Sequence, residues 1–268
     1  MKFQKYHGTG NDFIMISFVP ENPEFLAKNI CDRHFGIGAD GLIYPSLSNV
    51  ADIKFNYYNS DGSIAPMCGN GMRCFVKYLI ENQMIDVNHF VVETLAGLIE
   101  VDYDAKTDLV KINLGRPEFE LDQPNVLTPI RDFSAYTLNM SGEFIEFYTI
   151  NLGTLHTIVY VSPTMNILDI GPKLSMNPFF PKQTNVNFVE VLDQNSQKVT
   201  TFERGAGWTL SCGTGTAASA VVSFKLGKVK DVVRSIVSGG SLTIYVGKEI
   251  FLEGPAIKIA TGEYINHE

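Results

Sequence analysis

The chain has almost nothing that could replace a packed core. Its four cysteines, Cys31, Cys68, Cys74 and Cys212, stand among 268 residues with no C-x-x-C pair and no Cys/His spacing of a zinc site, which argues against a fold stapled by disulfides or metal. No stretch approaches the roughly 20 apolar residues that a membrane helix needs, and the first eight residues, Met1 to Gly8, lack an apolar core of signal length. A cytoplasmic protein is the expectation. Positive charge is also scarce: 21 Lys and Arg against 29 Asp and Glu leave a net charge of −8 with no basic cluster, which speaks against nucleic acid and anionic membranes as partners. There is one tryptophan, Trp208. What remains, 45% hydrophobic and 19% charged residues, is ordinary globular composition, and the length suits one large domain or two moderate ones.

Glycine is plentiful, and two glycine segments nearly duplicate each other. They are Met67-Cys68-Gly69-Asn70-Gly71-Met72-Arg73 and Ser211-Cys212-Gly213-Thr214-Gly215-Thr216-Ala217. Each sets a cysteine before Gly-x-Gly, and the runs that follow, 72–79 and 217–226, read as helix. Each cysteine is therefore expected at a helix entrance, where unpaired amides and about half a positive charge favour an anion. A thiol so placed acidifies toward thiolate, and the glycines let backbone donors close on a ligand carboxylate. A lone cysteine before a helix is more often a packed core residue, and Cys31 and Cys74, outside the repeated motif, are read as small buried apolar residues. The same motif in both halves is hard to explain by packing.

Around these motifs the chain reads as short strands and tight turns. Strands are expected at 3–7, 13–16, 42–44, 53–58, 90–94, 97–103 and 109–114, with a short helix at 24–31. The run Gly115-Arg116-Pro117 and the acidic, proline-containing stretch to Pro129 mark a boundary between a lobe of residues 1–116, joined by the tail 255–268, and a lobe of residues 117–254. The second half repeats the plan, with strands at 144–152, 157–161, 186–191, 198–203, 232–237, 242–246 and 249–253, and helix or loop at 165–175. Two related α+β lobes follow from that repetition. The triplet Asn139-Met140-Ser141 fits a glycosylation sequon, incidental in a cytoplasmic chain.

One sulfur on each face of a carbon bearing hydrogen, amino and carboxylate groups can invert it. A thiolate removes the α-proton while the opposite thiol delivers another, and reversal exchanges their roles. The weakly acidic α-proton then depends on fixed donors in a dry site, which two helix N-termini supply. No lysine site for pyridoxal phosphate is apparent, and neither a cofactor nor a metal is expected.

The chain resembles the diaminopimelate epimerase family. The resemblance runs through His7-Gly8-Thr9-Gly10-Asn11-Asp12-Phe13, Asp32-Arg33-His34-Phe35-Gly36-Ile37-Gly38-Ala39-Asp40-Gly41, Asn59-Ser60-Asp61-Gly62-Ser63 and Met67-Cys68-Gly69-Asn70-Gly71. It continues in Pro181-Lys182-Gln183-Thr184-Asn185-Val186, Phe202-Glu203-Arg204-Gly205-Ala206-Gly207, Cys212-Gly213-Thr214-Gly215 and Gly254-Pro255-Ala256. It implies an α+β fold of two pseudo-twofold related lobes, each a curved, mostly antiparallel sheet wrapped around a central helix, with the site in the cleft. It further implies a cofactor-independent isomerase that converts LL- to meso-diaminopimelate for lysine and peptidoglycan synthesis, and, since family members are often dimers, a homodimer by analogy. Cys68 and Cys212 would be the acid–base pair. Asn11, Asn59, Asn185, Glu203 and Arg204 would hold the substrate, the amides of Gly69, Asn70, Gly213 and Thr214 would bind the reacting carboxylate, and His156 and Glu203 would help set thiol protonation, with a satisfied core histidine as the other reading of His156.

Two positions depart from the family pattern. Thr154, followed by Leu155, stands where the family usually has Asn and Pro, and Trp208 stands where it usually has a second Glu, placing an apolar ring close to Cys212. Thr154 bears on the distal end of the pocket, and both bear on substrate choice, although Trp208 reads equally well as a lid or lobe-packing residue. A sibling two-cysteine racemase acting on another amino acid is the alternative reading, and a thiol redox protein or a binding module without chemistry is a third.

Overall fold

The computed structural model describes residues 1–140 and 142–265. Ser141 of the sequon triplet and residues 266–268 of the tail lie outside the described residues. The chain forms two compact units, Met1–Asn113 with Glu253–Glu268, and Leu114–Leu252.

In the first unit β1 (Lys2–Gly8) turns into β2 (Asn11–Met15), and α1 (Pro23–Cys31) crosses to β3 (Gly41–Ser46). β4 (Ile53–Asn59) then leads into α2 (Gly69–Glu81), followed by β5 (His89–Thr94), β6 (Gly97–Asp104) and β7 (Leu109–Asn113). The second unit opens with β8 (Tyr136–Met140), β9 (Glu143–Asn151) and β10 (Leu155–Tyr160), and α3 (Ile167–Ser175) crosses to β11 (Asn185–Asp193). β12 (Ser196–Glu203) and the short β13 (Gly207–Thr209) precede α4 (Gly213–Lys225), and β14 (Val232–Val237) and β15 (Gly240–Val246) follow it. After β16 (Ile250–Pro255), β17 (Ile257–Glu263) pairs antiparallel with β1.

The register exposes a repeat deeper than the glycine motifs. β1 and β2 are antiparallel, β2 and β3 parallel across the α1 crossover, β3 and β4 antiparallel, and β4 and β5 parallel across α2. In the second unit β9 and β10 are antiparallel, β10 and β11 parallel across α3, β11 and β12 antiparallel, and β12 and β14 parallel across α4. An antiparallel hairpin closes each series, β5 with β6 and β14 with β15. Parallel neighbours need a crossover of this length, usually a helix, which is why each unit carries two helices.

Those helices occupy different layers. Residues Gly69 to Leu79 of α2 are buried without interruption, and so is most of α4, as expected of a central helix enclosed by strands. α1 is amphipathic: it buries Ala27, Ile30 and Cys31 in a cluster with Phe3, Ile14, Leu42 and Tyr44, and Asn22 caps its start by accepting from the Phe25 amide at 3.1 Å. α3 buries Ile170 and Leu174 in the corresponding cluster with Val186, Phe188, Phe147 and Phe180. The α+β architecture of two repeated lobes expected from the sequence is the one observed.

Local differences have physical reasons. α2 and α4 begin at Gly69 and Gly213, three and four residues ahead of the expected starts, because Cys68 and Cys212 are themselves the N-caps and the glycines form the first turn. Residues 165–175, open between helix and loop in the sequence, hold α3 despite the internal Pro172. β8, β13 and β17 were not expected. β13 is three residues long, and β17, which is mostly exposed, is defined by its pairing with β1 and not by an apolar pattern.

Candidate active site

The repeat places chemistry at one end of corresponding strands. In the first unit Asn11 is the first residue of β2 and Asn59 the last of β4, and Cys68 stands where the chain passes from β4 to α2. In the second unit His156 is the second residue of β10, Asn185 the first of β11 and Glu203 the last of β12, and Cys212 stands before α4. Candidate polar groups at strand ends around a helix N-terminus are thus placed twice by the same topology.

Cys68 is half-buried, with extended backbone dihedrals of −142° and 121°. Its sulfur accepts from the Gly71 amide at 3.5 Å, and its thiol donates to Asn11 Oδ1 at 3.6 Å. Asn11 is held in turn by its own amide, which donates to Asp40 Oδ2 at 2.6 Å, while Asn70 Nδ2 donates to Asn11 Oδ1 at 3.4 Å. The first helical bond of α2 is Met72 N to Cys68 O at 2.7 Å, so the amides of residues 69–71 lie ahead of the helical ladder and turn toward the cysteine side. Asn59 stands two strands from Asn11, its Oδ1 accepting from Tyr57 Oη at 2.8 Å and its Nδ2 donating to Ser63 Oγ at 3.0 Å.

Behind this cluster lies a residue not among the expected site residues. Arg73 is fully buried, and its guanidinium donates to Asn70 Oδ1 (2.9 Å), Thr9 Oγ1 (3.2 Å), Gly69 O (3.2 Å) and Pro255 O (3.3 Å). All four acceptors are neutral. Burial brings its pKa down to about 10, opposed by the negative charge that Cys74 and Cys68 would carry as thiolates. Charge without a carboxylate partner inside a protein is costly, and here it sits one turn into the helix that Cys68 caps. The bonds explain Gly8 as well: a Cβ there would come within 2.9 Å of Asn70 O and 3.1 Å of the Arg73 guanidinium.

Cys212 is buried and its environment differs. Burial, then the neighbouring Glu203 carboxylate, raises its pKa well above the ordinary thiol value, and a hydrogen bond to Glu203 acts in the same direction. The Gly215 amide and the Thr214 hydroxyl, 3.7 Å from the sulfur, oppose that rise. Glu203 is fixed by Thr209, whose hydroxyl donates to Oε1 at 2.6 Å. The first helical bond of α4 is Thr216 N to Cys212 O at 2.9 Å, which again leaves the amides of residues 213–215 ahead of the ladder. Gly215 admits no side chain, since a Cβ would lie 2.1 Å from Asn187 Oδ1.

His156 is fully buried within hydrogen-bonding distance of Thr214 (Nε2 to Oγ1, 3.1 Å) and Asn187 (Nδ1 to Nδ2, 3.2 Å). Burial, with the positive charge of Arg204, lowers its pKa to about 3, so the imidazole is neutral wherever the thiols titrate. Asn185 bridges two elements, donating to Leu155 O at 3.2 Å and accepting from the Arg204 amide at 2.9 Å. The Arg204 side chain is exposed and donates to Lys182 O at 2.9 Å.

The structure therefore gathers Asn11, Cys68, Gly69 and Asn70 in one cluster, and His156, Asn185, Glu203, Arg204, Cys212, Gly213 and Thr214 in another. The two departures from the family pattern fall outside the second cluster. Thr154 lies in the turn before β10, where its carbonyl accepts from the Leu152 amide at 3.0 Å. Trp208, expected close to Cys212, packs on Phe188 and Phe202 with ring centroids 5.9 and 5.4 Å away, over Gly171 of α3. Strand alternation accounts for this: Phe188 faces the α3 layer, whereas its neighbour Asn187 faces α4. Arg73 and Asn187 were missed. The only signal for them was a polar residue inside an otherwise buried helix and inside an apolar strand.

Comparison with known proteins agrees over nearly the whole chain. The family model described as Diaminopimelate epimerase matches residues 3–120 and 148–264. A protein of Alkaliphilus metalliredigens named diaminopimelate epimerase is 41% identical, covering 99% of this chain and 98% of its own length. One of the same name from Caldanaerobacter subterraneus is 40% identical, covering 98% of this chain and 99% of its own. Among solved structures, a PhzF-family phenazine biosynthesis protein from Bacillus anthracis superposes with a TM-score of 0.72 at 15% identity, covering 100% of this chain and 99% of its own. A probable proline racemase from Agrobacterium radiobacter K84 gives 0.71 at 15% identity, covering 98% of this chain and 92% of its own. At that identity the likeness concerns the fold.

Proposed function

Because this chain belongs to the diaminopimelate epimerase family, we propose that Cys68 and Cys212 are the two acid–base groups with which it converts LL- to meso-diaminopimelate. The enzyme is an isomerase, and its product serves lysine and peptidoglycan synthesis. Each unit supplies one thiol at the N-cap of its buried helix. That duplication carries the reading, because inversion needs a proton acceptor on one face of the α-carbon and a donor on the other.

The surroundings of the two sulfurs divide the roles. Glu203 and burial keep the Cys212 proton in place, which makes Cys212 the donor to the carbanion. Cys68 has the α2 N-terminus and the buried Arg73 cation beside it, and these favour a thiolate, so Cys68 takes the α-proton. In the reverse direction the roles exchange. The amides of Gly69, Asn70, Gly213 and Thr214 hold the reacting carboxylate, where they also stabilise charge that develops in the transition state. Asn11, Asn59, Asn185, Glu203 and Arg204 bind the rest of the zwitterion, with Arg204 suited to fork onto the distal carboxylate. The lobes carrying these sets are residues 1–116 with the tail from 255, and residues 117–254.

All four cysteines are free thiols, consistent with a reducing cytoplasmic compartment, and no helix among the described residues is long and apolar enough to cross a membrane. The test is turnover of LL-diaminopimelate by Cys68→Ser and Cys212→Ser. Each variant should lose at least about a hundredfold in kcat, the scale of a lost general acid or base. Full turnover by either would refute the two-thiol assignment.

A further inference from the structure

Asn187 is fully buried in β11 and its orientation can be assigned from its neighbours. One end of its side chain faces two backbone carbonyls, Thr157 O and Asn185 O, each at 3.4 Å. Carbonyls only accept, so this end is the amino group. The other end, Oδ1, accepts from Thr201 Oγ1 at 3.0 Å. The same amino group lies 3.2 Å from His156 Nδ1. Facing a donor, Nδ1 must be the bare nitrogen of the ring, and the single proton of the neutral imidazole belongs to Nε2. Nε2 then donates to Thr214 Oγ1 at 3.1 Å. With its oxygen thus occupied as an acceptor, Thr214 has its own proton to give, and the Cys212 sulfur is 3.7 Å away.

We propose that Asn187 is a positioning residue, which locks His156 in the neutral Nε2–H tautomer so that Thr214 turns its hydroxyl proton toward Cys212 and steadies the thiolate left after proton delivery. The chain Thr201, Asn187, His156, Thr214, Cys212 runs in one direction, every member donating to the next. His156 carries no proton to or from substrate. It acts as a fixed dipole, and the low proton affinity that its burial enforces prevents the ring from turning donor at both nitrogens. The charged groups around the chain are Glu203 beside Cys212 and Arg204 beside His156. Glu203 opposes the thiolate, which is why a compensating donor from Thr214 matters. Gly215 makes room for the arrangement, since any side chain there would displace Asn187.

This inference rests on Cys212 being an acid–base group, and its tests separate the two. Nitrogen-15 spectra of the unaltered protein should show His156 with a bare Nδ1 and a protonated Nε2 throughout pH 5–9; protonation at Nδ1 would overturn the proposal without any variant. Asn187→Asp replaces the donor by an acceptor of the same shape. It should move the proton to Nδ1 and lower kcat about tenfold with KM unchanged, and adding Thr214→Val should cost little more, because both changes break one line of bonds. A kcat within twofold of wild type despite the altered tautomer, with Cys212→Ser inactive, would overturn this inference alone. Full activity in Cys212→Ser would instead overturn the two-thiol reading on which it rests.

Discussion

Arg73 shows how much of this site depends on a residue with no contact to substrate in the proposed reaction. Its four bonds tie the start of α2 to the β1–β2 turn and to Pro255, so one side chain fixes where Cys68 and its amides point. Replacing it by Met keeps volume and removes every donor, which leaves Asn70 Oδ1 and Gly69 O in a buried place without that partner. Arg73→Met should lower unfolding free energy by about 2–4 kcal/mol, the range for a broken buried polar network, as measured by urea denaturation. A loss below about 0.5 kcal/mol would show that the bonds contribute only geometry. The sequence marks this arginine only as a charge inside an apolar helix run, because its significance comes from complete burial, and an arginine on a helix is ordinarily solvated.

At the scale of elements, the glycine motifs, the central helices and most strands were legible because their signals are local: turn residues, alternation, and a repeated cysteine before Gly-x-Gly. What was not legible depends on partners distant in sequence. β17 exists through β1, β13 through β12, and Asn187 acts through a histidine one strand away. Trp208 is the instructive case. Its neighbours in sequence put it near Cys212, but the sheet turns its ring to the opposite layer, against Phe188, Phe202 and Gly171. Trp208→Ala should therefore act on stability, by about 2–3 kcal/mol given its partial exposure, with a lower Tm and KM for diaminopimelate changed less than threefold. A large rise in KM at unchanged Tm would return Trp208 to the substrate pocket.

For the molecule as a whole, two units with the same order of parallel and antiparallel pairings let one arrangement, a cysteine at the N-cap of a buried helix, be built twice, with Arg73 near it in the first and Glu203 in the second. The second unit also carries a pH liability. The folded pKa of His156 is about 3 against 6.5 when exposed, so the unfolded chain takes up a proton first. Stability from this group is complete above pH 6.5 and falls as pH is lowered toward 3, with a slope that approaches about 1.4 kcal/mol per pH unit. The difference in unfolding free energy between the protein and His156→Gln should shrink over that interval in acid titrations followed by denaturation; a constant difference would mean that the ring is protonated when folded.

If one thiol removes and the other delivers a proton at a single α-carbon, as proposed, the isotope left on that carbon reports it. LL-diaminopimelate is converted in deuterium oxide and both isomers are analysed by mass spectrometry and proton NMR before equilibrium. Two thiols acting as acid and base place solvent deuterium at the inverted α-carbon of the meso product, while recovered LL substrate keeps its hydrogen. Equal deuterium in recovered substrate and product would mean that one group serves both faces, and would overturn the two-thiol assignment.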